Sequence, residues 1–108
     1  MPTTIGDYSY RPWEGEDLGG LKEGSFIEVR RLNGDISAYD LPVIREELER
    51  RFPPRDYVLK LAWGVSSAGV SAIKVYVGYS REARLRRTES AGSPLHVTLS
   101  DMVARLNP

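Results

Sequence analysis

A chain of 108 residues without a single cysteine excludes disulfides, thiol catalysis and cysteine-held zinc or iron–sulfur centres. Its 15 basic and 15 acidic side chains cancel, and the pI of 6.6 lies well below that of common nucleic-acid-binding modules. No apolar run approaches the roughly 18 residues that span a bilayer, and no basic-then-apolar start marks a secretory signal, so a cytoplasmic domain with one core is expected.

Residues 1–24 read as an irregular arm packing on the domain, because Gly6, Gly15, Gly19, Gly20 and Gly24 with Pro2 and Pro12 break any period. Tyr8, Tyr10 and Trp13 are too aromatic for a disordered tail. The arm is therefore expected to lay its rings across one sheet face. A contact surface for a partner or for nucleic-acid bases is the alternative, and the arm's acidity weighs against bases.

Residues 25–108 read as the α+β domain. Ser25 to Leu32 is the first strand, with Ile27 and Val29 on one face and Phe26, Glu28 and Arg30 on the other. Asn33-Gly34-Asp35 turns the chain. Leu41 to Phe52 is an amphipathic helix striped by Leu41, Ile44, Leu48 and Phe52. Asp40 stands where a cap belongs, Pro42 is tolerated in the first turn, and Pro53-Pro54 ends the helix. Glu46 precedes Arg50, and Glu47 precedes Arg51, by one helical turn. That interleaving makes Glu46, Glu47 and Glu49 a salt-bridged outer face rather than a metal or acid–base site.

The apolar centre is Asp56 to Ser80, two strands around a small-residue turn. Leu59, Leu61, Trp63 and Val65 alternate onto one face of the first arm, and Ile73, Val75, Val77 and Tyr79 onto one face of the second. Gly69 is the residue for positive φ in the Ser66–Gly69 turn, which lacks the lysine and following helix of a phosphate-binding loop. Ser80 to Glu89 suits a short helix capped by Ser80, a solvated loop or a polar strand. Residues 90–94 read as a linker, Leu95 to Leu99 as a last strand, and Ser100 as the cap of a terminal helix over 101–106.

Chemistry-bearing residues are sparse. The single histidine, His96, has Ser93, Thr98, Ser100 and Asp101 nearby, but no spacing makes a nucleophile, base and acid converge. Asp35 and Asp40 match no calcium loop, and neither metal nor cofactor is expected. The strongest feature is Arg81, Arg84, Arg86 and Arg87, whose guanidinium forks suit phosphate or carboxylate. With Tyr76 or Tyr79 as stacking rings they form the candidate partner-binding site.

The element order suggests an antiparallel sheet with a central hairpin and helices on one face. A ferredoxin-like β-α-β-β-α-β arrangement is the best match and a plain βαββ sheet the runner-up. The expected function is non-enzymatic: a protein–protein interaction module, self-associating or binding another protein through an exposed sheet face or edge. The alternative is nucleic-acid binding through the arginines at 81–87.

Overall fold

The computed structural model describes residues 3–13, 25–65, 69–89, 92 and 95–107. Most of the arm beyond Trp13, most of the Ser66–Gly69 turn and most of the 90–94 linker lie outside the described residues.

Five strands form one antiparallel sheet: β1 (Thr3–Ile5), β2 (Tyr8–Pro12), β3 (Ser25–Arg31), β4 (Tyr57–Val65) and β5 (Ser71–Tyr79), in the order β1-β2-β3-β5-β4. β4 and β5 are the expected hairpin, with Leu59 opposite Val77, Leu61 opposite Val75 and Trp63 opposite Ile73. Gly69 takes φ 77° near its tip. β3 pairs with β5 through Ile27–Val75 and Val29–Ile73. This register puts every strongly apolar set on the same side of the sheet.

Three α-helices follow among the described residues: α1 (Leu41–Arg51), α2 (Arg81–Thr88) and α3 (Leu99–Leu106). α1 carries the striped face read from the sequence, and Ile44, Leu48 and Phe52 are fully buried. Its outer face is laced by Glu46–Arg50, Glu47–Arg50 and Glu47–Arg51 pairs. α2 takes the helical option, with the Ser80 hydroxyl accepting the Ala83 N–H at 3.1 Å. α3 is tied to the end of α1 by reciprocal bonds: Arg51 donates to the Arg105 and Leu106 carbonyls, and Arg105 to the Arg51 carbonyl. Met102 and Leu106 close the core below.

The chain departs from the sequence reading at five points. Residues 3–12 are not an irregular arm but a hairpin, β1 and β2, that widens the sheet beside β3. Gly6, at φ 58°, starts the two-residue loop, the position where positive φ lets a tight hairpin close. Tyr8 and Tyr10 therefore enter the core from within the sheet, at 7% and 1% exposure, instead of lying across it. Leu95–Leu99 is not a strand. Thr98, not Ser100, caps α3 by accepting the Asp101 N–H at 3.1 Å, and the helix starts at Leu99.

The strand order is also not that of a complete ferredoxin-like fold. β3, α1, β4 and β5 form a βαββ unit with β5 between the other two strands. The place beside β3 is filled by β2 from the N-terminal side. Finally, Asp40 does not cap α1 with its side chain. Its carboxylate turns back to Ser37, at the start of the 3-10 turn Ala38–Asp40, accepting the Ser37 N–H at 2.7 Å.

Candidate functional site

Alternation assigns the two faces of the sheet. On the helix side, Ile27, Val29, Ile73, Val75 and Val77 are completely buried. This chain covers the centre of its own apolar platform. The cover runs out along β4: Tyr57 is 6% exposed, Leu59 and Leu61 are half-buried, Trp63 is 55% exposed and Val65 64%. α1 starts on the β2–β3 side, where Tyr8 and Arg31 hold Asp40, and ends at Phe52 against Tyr57. Among the described residues, the β4 side of the hairpin-tip corner therefore has little above it. Val70, at 43%, continues the exposed apolar surface beyond the tip.

β4 also ends the sheet, with no strand on its outer side among the described residues. At nine residues it is a long edge, and Lys60 is its only charged side chain. The opposite edge, β1, has three residues.

The structure brings the arginines at 81–87 to one of the two candidate rings, Tyr79. All four lie on α2, and Arg81, Arg84 and Arg86 are exposed. Arg86 pairs with Asp56. Arg87 stacks on Tyr79, its guanidinium 4.1 Å from the ring centroid. Arg86 and Arg87, with Arg105, Asp56, Tyr57 and Tyr79, line an open cavity of about 320 Å³. Tyr79 is buried, and its hydroxyl is pushed above the ordinary tyrosine range by loss of solvent. Tyr76 is on the opposite side of the sheet. The structure thus divides the six residues: four arginines and Tyr79 on the helix side, Tyr76 on the other.

His96 is exposed, ahead of α3, in a cavity lined by Arg84, Thr88 and Leu95. Asp101 points elsewhere, accepting the Tyr57 hydroxyl at 3.1 Å. Among the described residues no three His, Asp or Glu side chains converge as metal ligands. No helix among them is long and apolar enough to cross a membrane.

The other face of the sheet carries no helix among the described residues. It gathers Trp13, Phe26, Lys74 and Tyr76. The signal was present: Phe26 and Tyr76 occupy the mixed parities of their strands. Only the β3–β5 register makes them neighbours.

Compared with known proteins, the chain matches no family model, and no curated sequence or solved structure is significantly similar to it. Fold and surface define a small α+β domain with an open sheet edge.

Proposed function

We propose that the protein is a non-enzymatic interaction module that works by adding a strand to the free edge of β4. The observation that carries this reading is the coincidence of two features on one strand. Unpaired backbone groups run along its outer side, and the exposed apolar side chains Val58, Trp63 and Val65 stand beside them. Edge backbone supplies affinity in such additions, and alternate side chains supply specificity.

A second copy of the chain is the best-fitting partner. Two β4 strands running antiparallel about a two-fold axis at Leu61 would set Leu59 opposite Trp63 and Lys60 opposite Ala62. Apolar side chains then meet apolar ones, and the two lysines avoid each other. Sedimentation or light scattering coupled to size exclusion tests this. Wild type is expected to run as a dimer at micromolar concentration and Trp63→Glu as a folded monomer. A wild-type monomer at about 1 mM, a concentration at which even a weak pairing of about −4 kcal/mol populates dimers, overturns self-association.

A further inference from the structure

We propose that the helix-free face of the sheet is a binding platform for single-stranded nucleic acid. This site lies on the opposite side of the sheet from the α2 arginines, and it meets the β4 edge strand at Lys60 and Gly64.

The face holds its charge unevenly. Among the strand residues that alternate onto it, Arg11, Arg30, Lys60 and Lys74 are basic and only Glu28 is acidic. Glu28 is 2% exposed and accepts from Arg11 at 2.6 Å and Arg30 at 2.9 Å, so it anchors both guanidinium groups and offers little negative field outward. Among the described strand residues of this face, basic side chains therefore outnumber acidic ones by three, although the whole protein has zero net charge. Net charge hides that excess; topology reveals it.

The same face presents aromatic rings laid against the backbone. Tyr76 on β5 and Phe26 on β3 are cross-strand neighbours with centroids 5.8 Å apart. Lys60 flanks Tyr76 on β4. The Tyr76 ring folds over Gly78, where a β-carbon would stand 2.6 Å from its hydroxyl and 2.8 Å from its ring. The Trp13 indole likewise reaches across to Gly64, with 3.8 Å to a β-carbon placed there. Glycine inside a strand marks a close approach. Here both glycines of this face lie under a ring. Phe26 and Tyr76 meet edge to face at 63°, and partly exposed rings of this kind are stacking surfaces for any base.

Lys74 Nζ sits 4.2 Å from the Phe26 centroid and 4.9 Å from that of Trp13. A base stacking on these rings would send that ammonium towards the phosphates. Two buried donors of this face, Trp13 Nε1 and Arg30 Nη2, have no acceptor among the described residues. Aromatic rings on adjacent central strands, with bases free to splay over them and cations beside them, suit an unpaired strand. A duplex buries its base faces and cannot use the rings.

Fluorescence anisotropy with labelled oligothymidylate and oligouridylate of about 15 nucleotides, at about 50 mM salt, tests the proposal. Binding is expected, with affinity falling steeply as salt rises. Lys60→Ala should shallow the log–log salt slope by about 0.7. Tyr76→Ala should weaken binding about ten-fold, while Tyr76→Phe, which keeps the ring, should bind as wild type. Tyr76 is a surface residue, and circular dichroism of both variants controls for folding. Three outcomes overturn the proposal: no anisotropy change up to about 100 µM protein, equal affinity for a blunt duplex of the same length, or a loss that follows Arg84→Ala, Arg86→Ala and Arg87→Ala while Tyr76→Ala is silent.

Discussion

Asp40 is 3% exposed, and its carboxylate accepts four hydrogen bonds. The Tyr8 hydroxyl lies at 2.5 Å, the Ser37 N–H at 2.7 Å, the Arg31 guanidinium at 3.0 Å and the Ser37 hydroxyl at 3.2 Å. This one group ties β2, β3 and the start of α1. The Tyr8 bond, then the Ser37 N–H, hold its carboxyl below the usual carboxylate range. Asp40→Ala leaves a buried phenol and a guanidinium without their acceptor and should cost about 3 kcal/mol in urea unfolding. Because the folded-state pKa is the lower one, the stabilisation is complete above the unfolded value of about 4 and is lost as pH falls through the folded value. The urea midpoint should therefore drop as pH falls below about 4 in wild type and drop less in Asp40→Asn. The opposite sign holds for the buried phenols. Burial pushes Tyr8, Tyr10 and Tyr57 up to about 12. Their contribution is full below about pH 10 and lost as pH rises through 12. An alkaline titration should release these phenolates together with the loss of secondary structure. At Gly78 the forecast is different: Gly78→Ala should push the Tyr76 ring off the backbone. Intrinsic tyrosine emission and strand binding should both change, while stability moves by about 1 kcal/mol.

At the scale of elements, α3 depends on packing and capping more than on length. Eight residues are too few for a helix to stand alone. Thr98→Ala removes the acceptor for the Asp101 N–H and should cost about 1 kcal/mol. Leu106→Ala opens a void at the α1–α3 junction, where the side chain is 1% exposed, and should cost about 3 kcal/mol. Both are read by thermal or urea unfolding, and an equal cost for the two would contradict the packing argument. α2 has a stronger local anchor. Ser80 both caps it and donates to the Arg55 carbonyl at 2.7 Å, and Arg86 reaches Asp56. These contacts bind α2 to the start of β4, which explains why an arginine-rich segment with few apolar residues is helical here.

On the scale of the whole molecule, the sheet separates three surfaces with different physics. The helix side is closed over its centre. The β4 edge is open and apolar. The other face is aromatic and, among its described strand residues, cationic. The edge and the face also answer differently to salt: apolar strand addition holds or tightens with ionic strength, while phosphate contacts weaken. Dimer fraction and oligonucleotide affinity should therefore diverge as salt rises, and parallel responses would show that one surface serves both.

The sequence by itself determined most of the local structure, because local structure obeys short-range rules. Leu41, Ile44, Leu48 and Phe52 repeat at helical spacing, and Leu59 to Val65 and Ile73 to Tyr79 alternate at a period of two. The β1–β2 hairpin was not read from the sequence, because Gly6 and the glycines and prolines around it break the short alternation of Thr3–Ile5 and Tyr8–Pro12. Leu95–Leu99 shows the limit: its alternation suits a strand, but Thr98 and the buried Val97, Met102 and Leu106 satisfy α3 instead. Only the tertiary structure decided which strands are neighbours. Strand order joins residues about 50 apart, such as Phe26 and Tyr76, and no nearby sequence encodes that contact. For the same reason, a chain with balanced charge can hold a positive aromatic face, since the register of distant strands, not composition, sets which side chains share a surface.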